Sequence, residues 1–332
     1  VGFGSGGTSH SMTVYSLDTF CVEIEPEVPR AANLLRSQNF DVTKEPNFSL
    51  ILNDARDHLS ITSRAYDVIS TDVTNLQYKQ NSSLYTVEYF QLMQDRLSDD
   101  GIACAWIPMA AISTEELQIL MRSFQKVFPH ATLWFMNHTH TNFGILIGTP
   151  DSLQIDFQRL QHGFQDPDIA QDLALIDMTE PLQFVHCLHL DEAGYAEFCG
   201  DVPLHTDNDP VLEFSSPLSF YQYNETFRDN LSTTLLLRPE SFQKYVVNAD
   251  DVADEEWQRH QTASLSFCKV LLRAYDFIIH RERGEVDGAT KTLKEALKWA
   301  EAGANAWPDD QTRQDFYQSF FLDADQWLRS RL

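Results

Sequence analysis

The chain has 332 residues and a formal charge of −25, from 49 acidic against 24 Lys and Arg side chains. A charge of that sign repels phosphate backbones and excludes nucleic acid as a natural partner, while it favours cationic ligands such as amines or sulfonium compounds. The length suffices for one large domain plus an appendage, and with no apolar run of ~18 residues and no charged-then-apolar leader, a cytoplasmic protein is expected.

A glycine cluster, Gly2-Phe3-Gly4-Ser5-Gly6-Gly7, opens the chain, and an acid, Glu23, follows at the end of a strand-like run over 20–24. Glycines at a strand-to-helix turn let backbone approach a ligand, and an acid at the next strand's tip can hold both hydroxyls of a ribose; a tight turn alone also needs glycine. Val1 is only the stub of the strand that should feed such a turn, so an upstream segment is expected, with a membrane region conceivable only in a longer parent chain.

Apolar spacing predicts helices over 26–38, 85–97 and 114–128, the last opened by Ser113-Thr114-Glu115-Glu116. Between them, strand-like runs fall at 48–52, 66–70 and 102–107. Two more, at 132–136 and 143–147, flank a polar connection and are expected to form an antiparallel hairpin at the sheet edge. Alternating strands and helices imply a parallel sheet wrapped on both faces, the α/β Rossmann-like methyltransferase fold with its first strand truncated. The expected organisation is this domain over 1–150, a mixed helical and loop extension over 151–240, and an α-helical region over 241–332. Residues 283–289 and the helix after them resemble one tetratricopeptide-type hairpin, and one unit is not an array.

Strand ends in an open α/β sheet form the ligand crevice, so the glycine turn, Glu23, Asp54-Ala55 and Asp72 should converge. Asp54 can accept from an adenine amino group while Ala55 offers a backbone N–H; Asp54 reads equally as a helix N-cap, and the two roles are compatible. Asp72 ends an apolar strand before a polar loop over 76–83. It can take a proton from an attacking amine, or cap the next turn.

The run Tyr66-Asp67-Val68-Ile69-Ser70-Thr71-Asp72-Val73-Thr74-Asn75, then Ser83-Leu84-Tyr85-Thr86-Val87-Glu88-Tyr89-Phe90, together with the glycine turn and Val22-Glu23-Ile24-Glu25-Pro26, resembles the spermidine synthase (polyamine aminopropyltransferase) family. Similarity runs over roughly 1–149. Residues 204–214 and the helical tail resemble a bacterial branch in which such a domain is fused to membrane segments and sometimes to tetratricopeptide helices.

The resemblance implies a sulfonium nucleoside, decarboxylated S-adenosylmethionine or S-adenosylmethionine, held by Gly2, Gly4, Ser5 and Gly6, with Glu23 on the ribose and Asp54 and Ala55 at the adenine. It makes Asp72 the catalytic base, places Asn75 and Tyr85 at the substrate, and implies a small-molecule amine acceptor, with a homodimer left open. Two positions depart from the family pattern. Ser5 stands where the family has an acid between the glycines, and Asn75-Leu76 replaces a second Asp followed by Pro. The family's N-terminal β-hairpin region is also absent. A methyltransferase acting on intact S-adenosylmethionine and a non-catalytic nucleoside-binding module are the alternatives.

Five scattered cysteines with no C-x-x-C pair indicate neither a disulfide framework nor a zinc site. The pairs His138/His140 and His186/His189 lack further ligands at recognisable spacing, so no metal is expected. His205 and Asp207 are expected to be structural or lid residues that could also line the crevice. No nucleophile elbow or phosphate-binding G-K-[ST] loop is present.

Overall fold

The computed structural model describes residues 1–73, 76 and 79–331, the side chains of Lys79 and Gln80 excepted. After the glycine turn come helix α1 (Gly7–Val14) and strands β1 (Thr19–Glu23) and β2 (Phe48–Leu52), which pair in parallel. Helix α2 (Ala55–Ile61) leads to β3 (Tyr66–Thr71), and α3 (Val87–Gln94) to β4 (Leu97–Pro108). Helix α4 (Thr114–Val127) precedes β5 (His130–Trp134) and β6 (Phe143–Thr149). Ser113 and Glu116 close a reciprocal capping box on α4, as their spacing predicts.

The continuous helix expected over 26–38 is instead three short pieces. Pro29 supplies no N–H, and the turn at Glu27–Ala31 has no buried face to hold it against the core. The chain then passes through left-handed Phe40 and Asp41.

The sheet also differs from a single parallel layer. The β1–β2 pair is separate from a five-stranded sheet in which β3 and β4 are parallel, β6 is antiparallel to both β4 and β5, and β7 (Leu188–Leu190) adds to the outside of β5. The β5–β6 hairpin is antiparallel as expected, but it lies inside the sheet because β7 covers its outer edge. Between β1 and β3, backbone hydrogen bonds of Val1 and Gly2 bridge the two parts, beside the Phe20 ring on Tyr66. The Val1 nitrogen donates to the Ser70 carbonyl (2.6 Å), Asp72 N–H to the Val1 carbonyl (3.1 Å) and Gly2 N–H to the Val22 carbonyl (2.9 Å).

Beyond the sheet lie α5 (Val211–Ser219), α6 (Tyr223–Leu236), the 30-residue α7 (Asp254–Arg283), α8 (Val286–Ala306) and α9 (Gln311–Arg329). Gly284 ends α7 in the left-handed conformation, which closes the α7–α8 hairpin where the sequence places its turn. One hydrophobic cluster joins Leu59, Phe90, Phe124 and Leu146 to Phe227, Phe267, Leu271 and Tyr317. The core therefore runs without a break across positions 150 and 240. A small second cluster, Phe3, Cys21, Ala32 and Val42, seats the glycine turn on the β1–β2 pair. Together these elements are a Rossmann-like methyltransferase-type fold with a C-terminal helical region.

Candidate functional site

Gly2, Gly4 and Gly6 have φ of +85°, +53° and +89°, values that L side chains rarely adopt. A Cβ on Gly6 would lie 2.9 Å from Asn39 and from the Phe3 ring, and one on Gly2 would lie 3.4 Å from the Asp72 carbonyl. Nothing stands within 4 Å of the corresponding point on Gly4. Gly2 and Gly6 are thus demanded by packing as well as by conformation, whereas Gly4 leaves bare backbone beside open room. Ser5 is half-buried, and its carbonyl accepts from Asn39 Nδ2 at 2.7 Å.

Glu23 ends β1 and is only 8 % exposed. Its Oε2 accepts the Phe3 N–H (2.8 Å) and its Oε1 the Glu25 N–H (2.9 Å), so the acid anchors the glycine turn directly. Each oxygen retains a lone pair for a further donor. The Glu23 carbonyl accepts Asn53 N–H at 3.0 Å, which carries the chain to Asp54. Asp54 caps α2 by accepting the N–H groups of Arg56 (2.8 Å) and Asp57 (3.3 Å), and Ala55 is buried behind it.

The Asp72 Oδ2 accepts a hydrogen bond from the Thr8 hydroxyl on α1 at 2.8 Å. It lines a cavity of about 380 Å³ with Val1, Gly2, Thr8, Arg64 and Tyr66, running between β1 and β3; Gly4, Glu23 and Asp54 are not part of that lining. The fold thus brings Gly2, Glu23 and Asp72 around one turn, with Asp54 next along the strand tips. Tyr85 is wholly buried, and its hydroxyl lies 2.8 Å from the Val73 carbonyl and 2.7 Å from that of Trp106. Burial pushes its phenol well above the ordinary range. Its hydroxyl holds the backbone next to Asp72. Asn75 lies outside the described residues.

Sequence reading missed Arg56 and Thr86. Arg56 Nη1 donates to the Ser83 carbonyl (2.6 Å), Thr86 Oγ1 (3.0 Å) and Asp207 Oδ1 (3.0 Å), and Nη2 pairs with Asp207 Oδ2. Burial pushes the Asp207 carboxyl up, but the hydrogen bonds from Arg56 and Thr86 outweigh it and hold the group below the usual carboxylate range. Buried His205 places Nε2 2.9 Å from the Ser82 carbonyl, and its own carbonyl accepts Val87 N–H at 3.0 Å. The 204–210 segment is therefore a strap tying the ends of α2 and α3 together. Nothing local could reveal an ion pair spanning 151 positions.

The paired histidines serve structure. His138 Nε2 meets the Ile176 carbonyl at 2.8 Å, His140 Nε2 the Tyr275 hydroxyl at 3.1 Å, His186 Nδ1 the Leu182 carbonyl at 2.8 Å and His189 Nε2 the Thr234 hydroxyl at 2.9 Å. Among the described residues, no three or more His, Cys, Asp or Glu side chains are grouped to hold a metal ion. No helix among them is long and apolar enough to cross a membrane.

The fold thus gathers strand-tip carboxylates, Glu23 and Asp72, around the glycine turn. Residues 1–148 match the model of the spermine/spermidine synthase domain. Similar solved structures include a spermidine synthase in complex with the transition-state analogue AdoDATO (18 % identity, TM-score 0.38, covering 64 % of this chain and 62 % of that one). Others are the spermidine synthase from Thermotoga maritima (20 %, 0.36, 45 % and 51 %) and a probable spermidine synthase from Corynebacterium glutamicum (18 %, 0.38, 57 % and 63 %). The chain spans less than two thirds of the length of each.

Proposed function

We propose that the protein is a spermidine synthase-like aminopropyltransferase that moves an aminopropyl group from decarboxylated S-adenosylmethionine to a small amine in the cytoplasm. The match of residues 1–148 to the spermine/spermidine synthase domain supports the reaction class. The observation that carries the site is the Asp72 carboxylate, held by the Thr8 hydroxyl on a residue whose backbone carbonyl packs against Gly2.

In this reading Gly4 gives the nucleoside its close approach, Glu23 takes the ribose hydroxyls and Asp54 the adenine amino group. Ala55 and Ser5 complete that contact. The amine nitrogen attacks the carbon beside the sulfonium; the carbon–sulfur bond breaks and its electron pair stays on sulfur as a neutral thioether. Asp72 accepts the proton that the amine sheds. The protein's work is alignment and proton removal. Asn75 and Tyr85 belong to the acceptor side, Tyr85 through the Val73 backbone it holds.

Ser5 supports a second reading, methyl transfer from intact S-adenosylmethionine. An acid at that position would repel the methionine carboxylate, whereas a hydroxyl can donate to it. Incubation with each nucleoside and a set of polyamines, followed by product mass, tests both readings. A gain of an aminopropyl group is expected; a gain of a methyl group selects the second reading, and binding without any mass change reduces the protein to a nucleoside-binding module.

A further inference from the structure

Positive charge is scarce in this chain, yet it collects at one place far from the crevice in sequence. A cavity of about 480 Å³ opens between α6, α7 and α8, inside the ~300–1,000 Å³ range of small-molecule sites. Its charged lining is Arg238, Lys269 and Arg273 against one acid, the exposed Glu240. Leu235, Leu265 and Trp299 supply an apolar wall.

Only one of the three cations is neutralised. Arg273 pairs with Asp276 (2.5 Å) and Glu295 (3.4 Å). Lys269 sets its ammonium 3.7 Å over the Trp299 ring, and no carboxylate among the described residues lies within ion-pair range of it. Burial, then the neighbouring Arg273, draws its pKa down, as a cation crowded by a cation requires.

Arg238 is the sharper anomaly. Its guanidinium is buried, with Nη2 donating to the His186 carbonyl (3.0 Å) and Ser264 Oγ (2.9 Å), both neutral acceptors. Its Nε and Nη1 have no partner, and burial lowers its pKa with a second cation, Arg313, adding to the effect. A buried charge without a counterion is costly, and proteins keep such charges where something of opposite sign completes them.

We propose that this cavity binds a small amphipathic anion, its carboxylate or phosphate head on the accessible Lys269 ammonium, with the buried Arg238 charge beneath the lining, and its apolar body along Leu265 and Trp299. The head would supply the missing counter-charge, and the exposed Leu236 at the rim would extend contact with the body. The site is independent of the nucleoside crevice and of the reaction proposed there.

Calorimetry of the full chain with octanoate, octanol and octylamine tests it. Saturable one-to-one binding of octanoate is expected, with octanol weaker by about tenfold or more and octylamine weaker still. Lys269→Gln should weaken octanoate by about fivefold or more without changing octanol, and Lys269→Arg should restore it. Octyl phosphate in place of octanoate separates the two head groups, the tighter of them naming the natural class. Absence of saturable octanoate binding, equal binding of all three probes, or an unchanged Lys269→Gln variant overturns the proposal; far-UV circular dichroism shows that each variant is folded.

Discussion

The Thr8 hydroxyl on α1 donates to the Asp72 carboxylate across 64 positions of chain, at 2.8 Å. The bond fixes a strand-end acid against the helix that follows the glycine turn, so the orientation of Asp72 depends on the turn being formed. For a proton acceptor this is an advantage. Thr8 holds one oxygen, and among the described residues no hydrogen bond reaches the other. Asp72→Asn keeps the shape and removes the base, and turnover should fall by at least about 100-fold with nucleoside affinity nearly unchanged. Product formation and calorimetry measure the two quantities; retained turnover removes Asp72 from the mechanism.

Gly4 and Gly6 separate conformation from space. Both are left-handed, but a Cβ on Gly6 meets Asn39 and Phe3, whereas one on Gly4 meets nothing among the described residues. Gly6→Ala should therefore cost about 2–4 kcal/mol in denaturant unfolding, through backbone strain plus overpacking. Gly4→Ala should cost about 1–2 kcal/mol of stability and lose nucleoside affinity beyond that. Equal nucleoside affinity in Gly4→Ala and the parent protein would place the ligand elsewhere.

The Arg56–Asp207 strap should be visible in stability. Arg56→Ala removes the charged donor from the Ser83 carbonyl and from Asp207, both of which keep the Thr86 hydroxyl, and should cost about 1–3 kcal/mol, while Asp207→Asn, at a more exposed carboxylate, should cost less than about 1 kcal/mol. The Asp207 carboxyl is depressed in the folded protein, so its contribution is present above the unfolded value of ~3.9 and is lost as pH falls through the folded one. Unfolding curves compared at neutral and acid pH should show the parent and Asp207→Asn converging at the acid end.

Buried histidines add a second acid dependence. His189 is pushed down to about 3 by burial, then by the nearby Arg238, and its Nδ1 has no partner. Between that value and the unfolded ~6.5 the unfolded chain binds a proton that the folded one refuses, so stability falls on acidification by roughly 1.4 kcal/mol per pH unit for this residue. His189→Asn should flatten the stability profile over that window. A slope identical to the parent's would show that His189 remains uncharged in the unfolded chain as well or is protonated in both states.

Much of the site was legible from local pattern. The glycines fall at positive φ, Asp54 caps α2, Glu23 ends β1 and Asp72 follows β3, because each position is governed by sterics or capping within a few residues. The helix expected over 26–38 broke into short pieces because Pro29 supplies no N–H and only Val28 and Ala32 of the segment reach the small cluster beneath it. Tyr85 stood in the right motif, but its complete burial against two carbonyls is a matter of packing that the motif does not encode.

The amino-acid order by itself determined the run of strands and helices, the turn that needs glycine and the acids at the strand tips, since these follow from side-chain period and backbone sterics over short spans. Tertiary structure alone decided that β1–β2 stands apart from the main sheet, that β7 covers the β5–β6 hairpin and that one core crosses positions 150 and 240. It also decided that Arg56 meets Asp207 and that, among the described residues, Nε and Nη1 of buried Arg238 find no acceptor. Contacts between residues a hundred or more positions apart depend on which surfaces meet once the whole core has formed, and no local pattern carries that choice.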